Sequence, residues 1–380
     1  MSSANLHDKL DMSIKNVGKV NRLGYVDSLR AIAAIYVVMH HNMLEIWAPD
    51  YGIYPSGSLS SIANAFRYGH YSVSLFIIIS GFCLMLPVLK NEGELRGGIK
   101  TFFIRRAKRI LPPYYFSLII SLILIYFFIG SKTHTHWDCS LPVTLHTFIT
   151  HLFLVHDIFP GGGGLINHVY WSIAVEWHIY FLFPLMLILW RRIGPWLSTI
   201  GILLFGFIFE HFLHHTPYGG ITAQFFGLFA LGMLAVTIAY GQETKYQKIR
   251  RAPWAIITLL MSVVLWRAFR HWGIESLFDE LFMGLFGFSL LIAASVESSI
   301  IRKILNWRPL IVIGTFSYSI YLIHAPIIQI IWQYAIHPFH YSRTMEFVIL
   351  EIVGTPIMIG IAYIFYLCFE KPFMNKPIVK

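Results

Sequence analysis

Residues 25–47 read YVDSLRAIAAIYVVMHHNMLEIW, an apolar run long enough to cross a bilayer, which takes ~20 residues of helix. Its polar interruptions are patterned. A helix turns ~100° per residue, so the step from Arg30 to His41 returns almost to the same face, ~16 Å further along the axis. His40 points ~100° away and reads as a packing or positioning residue. An ionisable side chain facing lipid is expensive, so Arg30 and His41 are expected to face a protein-lined cavity running through the membrane. A cation at one end and a titratable imidazole at the other suit anion binding coupled to proton transfer.

The rest of the chain fits that reading. Of its 380 residues 56% are hydrophobic and 13% charged, with a mean hydropathy of +0.63. A soluble domain would carry about twice that charge. The apolar residues fall in long blocks, which predicts an all-α polytopic integral membrane protein of about ten transmembrane helices. The blocks lie at roughly 27–47, 71–89, 110–131, 169–190, 195–213, 221–240, 253–270, 279–298, 310–333 and 346–369. Residues 145–156 (LHTFITHLFLVH) are too short to cross and are expected to lie at the interface or fold back.

Lys and Arg set the expected orientation. With the N-terminus inside, all but five of the 29 cations fall in cytoplasmic segments. The exceptions are Arg67, Lys132, Arg267, Arg270 and Arg343. Both termini are therefore expected in the cytoplasm, with a tail at 1–26, a transmembrane domain at 27–370 and a second tail at 371–380. The net charge of +10 is a topology signal and an attraction to anionic membrane lipid, not a nucleic-acid footprint. The polar first 26 residues do not read as a cleaved leader. Cys83, Cys139 and Cys368 are too scattered for a disulfide framework or a metal motif. The 132–168 loop is either a flexible linker or an extracellular element that meets an acceptor.

Three segments could carry chemistry. In GGIKTFFIRRAKRILPPYYF, Lys100, Arg105, Arg106, Lys108 and Arg109 cluster before Ile110. A charge anchor would look similar. However, Arg106 and Arg109 share a helix face, and guanidinium forks suit a ligand with several phosphates. In HVYWSIAVEWHIYFLFPLM, Ser172 and Glu176 are four apart on one face. A carboxylate so surrounded is a functional candidate, with pairing to a cation, Arg30 or another inward-facing group, the structural alternative. In GTFSYSIYLIHAPIIQI, Ser317, Tyr321 and His324 form one polar stripe, as helix–helix glue or as a cavity lining. EHFLHH (Glu210–His215) sits at a span end, and His134 and His136 lie in a loop without an obvious third ligand, so no metal is expected.

In order, DSLRAIAAIYVVMHH, SVSLFIIISGFCL, FFIRRAKRILPPYY, YWSIAVEWHIYFLFP, FSYSIYLIHAP and FEKPF resemble the membrane acyltransferase 3 family, bacterial enzymes that O-acylate surface carbohydrates. The resemblance implies an O-acetyltransferase of the bacterial inner membrane. Its donor would be acyl-CoA, usually acetyl-CoA, and its acceptor a polysaccharide, lipopolysaccharide O-antigen or related glycan. It matches Arg30 and His41 to the family's paired arginine and histidine, and Arg106 with Arg109 to its Arg-x-x-Arg element. Ser80, Gly81 and Phe82 match its SGF motif, with a structural role. Glu176 matches, but the family's following Glu or Gln is Trp177 here. On this reading Arg30, Arg106 and Arg109 bind the donor, and Ser172, Tyr321 and His324 contact substrate. His41 acts with Arg30 and Glu176 either as the general base or as a covalent acyl-histidine relay, which the sequence does not separate. A glycan transporter or flippase is the rival; it predicts two related halves with broken helices, and no internal repeat is visible.

Overall fold

The computed structural model describes residues 23–374 apart from 214, 215, 217 and 272–276. Most of both expected cytoplasmic tails lies outside these. Among the described residues there is no strand. The longer helices are α1 (Gly24–Trp47), α2 (Ser72–Leu89), α3 (Gly98–Leu124), α4 (Leu145–Leu152), α5 (Trp171–Ile193), α6 (Pro195–Leu213), α7 (Gln224–Tyr240), α8 (Trp254–His271), α9 (Leu277–Ser295), α10 (Arg308–Gly314), α11 (Ser317–Ile331) and α12 (Thr355–Phe365). Single wider turns at Ile125–Ile129, Trp332–Ile336 and Tyr366–Glu370 prolong α3, α11 and α12.

Seven helical segments are long and apolar enough to cross a membrane, and eight if Gln224–Tyr240 and Thr244–Arg250, bent by 97°, count as one span. All ten expected segments are largely helical; the sixth counts as a span only as that bent pair, and the first and seventh fall short. The apolar part of α8, Trp254–Phe269, is too short. Along α1, Arg30, His40, His41, Asn42 and Glu45 dilute the apolar run. Protein rather than lipid surrounds that helix: Ala31, Val38, Asn42 and Trp47 are fully buried. The chain is a multi-pass membrane protein, and α1, with its several ionisable residues, sits largely in its interior.

Close helix crossings hold that interior together. At Gly81, on α2, an added Cβ would lie 2.1 Å from the Phe229 carbonyl oxygen of α7, and at Gly232 one would lie 2.0 Å from that of Ile78. Neither helix can accept a side chain there, which gives the SGF glycine its structural role. Gly314 ends α10 directly on the Asp27 carbonyl, where a Cβ would stand 1.8 Å away. That contact seats the start of α1, one turn before Arg30. Further along, α1 packs on α2 and α11.

Residues 132–168 are an ordered cap and not a linker. The Asp138 carboxylate accepts from the backbone N–H groups of Thr133 (2.6 Å) and His134 (2.9 Å), and from the Tyr51 hydroxyl (2.5 Å). The Thr144 hydroxyl caps α4 in a box with Thr147. Tyr114 and Tyr115 of α3 donate to the carbonyls of His151 and Leu152. The short apolar stretch is thus a two-turn helix tied to α3, with Leu145, Ile149 and Phe153 exposed.

Candidate active site

A cavity of about 1020 Å³ opens between α1, α2, α3, α5, α11 and the end of the chain. Its wall includes Arg30, Ser80, Arg106, Arg109, Ser172, Glu176, Tyr180, Ser317, Tyr321, Glu370 and Lys371. Of the five clustered cations, the two on one helix face line it. Lys100 and Lys108 are exposed, and Arg105 donates to the Arg96 carbonyl. The Arg106 Nε is buried without a hydrogen-bond partner. A buried guanidinium N–H in that state is suited to donate to an anionic ligand.

Arg30 donates to Asp27 Oδ1 (3.4 Å) and Cys83 Sγ (3.3 Å). Glu176 takes its hydrogen bonds from Ser80 (2.8 Å) and Tyr180 (2.5 Å), so the structural pairing with Arg30 is not made. The Ser80 hydroxyl thus orients a cavity carboxylate, while Gly81 beside it serves packing. Ser172 and Tyr321 meet hydroxyl to hydroxyl at 2.6 Å across α5 and α11. Ser319 donates to Glu370, which places the closing FEKPF motif on the same wall.

His41 is not among the residues lining this cavity. It lies beyond Tyr321, whose ring centroid is 5.7 Å from that of His324; the His324 ring is 4.8 Å from that of His41. The tautomers follow from the carbonyls nearby. His324 Nδ1 faces the Tyr321 carbonyl at 2.8 Å and the Ile320 carbonyl at 3.2 Å, so it carries the proton. Its Nε2 is then an acceptor, 3.0 Å from His41 Nδ1, which also faces the Val37 carbonyl at 3.0 Å. His41 must carry its proton on Nδ1, which leaves the Nε2 lone pair free. His324 itself is fully buried, with both nitrogens engaged. His40 turns away, its Nδ1 2.9 Å from the Phe66 carbonyl.

The cap brings two more imidazoles to His41. Ring centroids of His168 and His136 lie 4.9 and 6.1 Å from that of His41, and one nitrogen of each of the three lies within 4.8 Å of the others. The expectation that His136 has no obvious third ligand is therefore corrected. His136 Nδ1–H donates to Asp50 Oδ2 at 2.5 Å. Burial lowers the His136 pKa, but the Asp50 and Cys139 contacts outweigh it and hold it at about 10. The same hydrogen bond keeps Asp50 below the usual carboxylate range. Burial, then the charge of His136, pushes His168 well below an ordinary histidine.

Asp50 and His168 escaped the sequence reading, and His136 was noted without its partners, because these residues are far apart in the chain and share no helix face. Tyr180 and Glu370 had a signal: Tyr180 follows Glu176 by one turn, and Glu370 stands in FEKPF. In EHFLHH, Glu210 accepts from the Ala223 backbone N–H at 2.8 Å, and His214 and His215 lie outside the described residues. His178 pairs with Asp157 at 3.2 Å.

A family model described as an acyltransferase domain matches residues 23–367. The peptidoglycan O-acetyltransferase OatA of Listeria monocytogenes is 24% identical over 332 residues, covering 80% of this chain and 49% of that protein. YrhL of Bacillus subtilis, provisionally named a peptidoglycan O-acetyltransferase, is 24% identical over 383 residues, covering 92% of this chain and 55% of that protein. The chain thus spans about half the length of these curated relatives. No solved structure matches.

Proposed function

The chain belongs to this acyltransferase family, and we propose that it is a bacterial inner-membrane O-acetyltransferase that moves an acetyl group from cytoplasmic acetyl-CoA to a hydroxyl of a cell-wall carbohydrate outside. The observation that carries this reading is the pairing of an arginine-lined cavity with a histidine whose free lone pair lies just beyond it. Arg106, Arg109 and Arg30 take the donor's phosphates. Glu176, fixed by Ser80 and Tyr180, accepts from the amide groups of the donor's arm. Ser172 and Tyr321 are the contact that must part for the thioester to reach His41.

His41 Nε2 removes the proton of the acceptor hydroxyl as its oxygen attacks the thioester carbonyl. The new C–O bond forms, the C–S bond breaks, and the departing thiolate takes the proton from His41. The names of the relatives favour a peptidoglycan-type glycan as the acceptor. General-base catalysis is worth ~10²–10⁴-fold, so His41→Ala should lose about that much transfer. The purified protein in vesicles, given acetyl-labelled acetyl-CoA and soluble peptidoglycan fragments, tests this. Wild-type label in the glycan with His41→Ala would remove His41 as the base, and no label with wild-type protein would count against the acceptor class.

A further inference from the structure

We propose that His41, His136 and His168 form a site for a zinc-class divalent cation, and that an ion held there switches acyl transfer off. The three imidazoles come from α1, the turn before Ser140 and the segment before α5, and one nitrogen of each lies within 4.8 Å of the others. Each Nδ1 already faces an oxygen: the Val37 carbonyl, the Asp50 carboxylate and the Ser140 hydroxyl, at 3.0, 2.5 and 3.0 Å. A ring that keeps its proton on Nδ1 toward such a partner presents Nε2 as the donor atom. Metal-ligating histidines are held in this way, the carboxylate-backed one most typically.

A second observation points to a ligand. The His168 Nε2 is buried and has no hydrogen-bond partner. Cys139 is exposed, and its Sγ lies 3.9 Å from His136 Nε2, which makes it the candidate fourth donor. An imidazole set without a carboxylate oxygen in its inner shell suits zinc, and not magnesium or calcium. Zinc–nitrogen bonds are ~2.0–2.1 Å, so the rings must rotate inward to close on it. A cation entering displaces the His136 Nε2 proton, as metal binding to histidine generally does. It also takes the His41 lone pair. The inhibitory half of the proposal rests on His41 being the base; the binding half does not.

Cobalt(II) chloride alone, titrated into the purified full-length protein, tests the site by visible absorption, since tetrahedral cobalt absorbs far more strongly than the aqueous ion. One ion per chain is expected, with a raised melting temperature. The band should be lost in His168→Asn and in His136→Asn, and kept in His134→Asn, an exposed neighbour. The melting temperature without metal and elution as a single species check that each variant is folded. Zinc should lower wild-type transfer roughly tenfold or more, reversibly with chelator, because it occupies the general base. No band, or a band unchanged in folded His168→Asn, overturns the site. A band that needs both histidines while zinc leaves transfer intact overturns the inhibition and counts against His41 as the base, whereas a wild-type protein that transfers nothing without metal fails the transferase reading instead.

Discussion

His324 holds its Nδ1 proton against the carbonyls of its own helix, and that arrangement reaches the proposed base, His41, through one hydrogen bond. Its Nε2 accepts from His41 Nδ1, so the tautomer of the proposed base is set from α11 as well as by Val37. On the proposed mechanism His324 would position the base through that hydrogen bond. A glutamine side chain in its place could still present an oxygen to His41, whereas leucine could not. His324→Gln should thus keep transfer within roughly tenfold, and His324→Leu should lose roughly a hundredfold, in kcat more than in donor KM, because proton transfer and not binding is impaired. Steady-state kinetics on both variants check this, and equal losses would reduce His324 to packing. His40→Ala, whose imidazole bonds only the Phe66 carbonyl side of the bundle, should stay within a few-fold on the same ~10²–10⁴ scale that His41→Ala loses.

The amphipathic reading of α3 shows what an element-level pattern can and cannot predict. A spacing of three places Arg106 and Arg109 on one face, and that face lines the cavity while Lys100 and Lys108 remain exposed. Charge-assisted contacts to phosphate are worth ~1.5–3 kcal/mol each, so Arg106→Ala or Arg109→Ala should weaken donor binding roughly tenfold or more. Calorimetric titration with a non-hydrolysable acetyl-CoA analogue measures it; Lys100→Ala and Lys108→Ala serve as off-cavity controls, and unchanged affinity in Arg106→Ala plus Arg109→Ala would return the cluster to a charge anchor. Periodicity likewise found Ser172 with Glu176 and Tyr321 with His324, since helix neighbours are local in sequence. It could not find the hydroxyl contact from Ser172 to Tyr321 across two helices, nor the order of the 132–168 cap. That order depends on Asp50, Tyr51, Tyr114 and Tyr115, each far from the groups it anchors.

For the whole molecule, hydropathy names the lipid-facing helices well and the buried one badly, because α1 is shielded by its neighbours and can carry Arg30, His41 and Glu45. That same helix links the two ends of the proposed reaction. Arg30 is near its start and His41 ~16 Å further along, past the midpoint of a ~30 Å hydrocarbon core if α1 runs along the membrane normal. On the cation bias the Arg30, Arg106 and Arg109 end would face the cytoplasm; the His136 and His168 imidazoles lie against His41, away from that end. The acetyl group would then cross the membrane inside the protein while coenzyme A and glycan each stay on their own side. In sealed vesicles of known orientation, acetyl-CoA should support transfer only from the Arg106 face, and glycan fragments should accept only on the cap face. In a Cys368→Ser background, since Cys368 is also exposed, an impermeant thiol reagent attacking exposed Cys139 reports independently which face carries the cap. Transfer with both substrates confined to one side would end the through-membrane route, even for a working acetyltransferase.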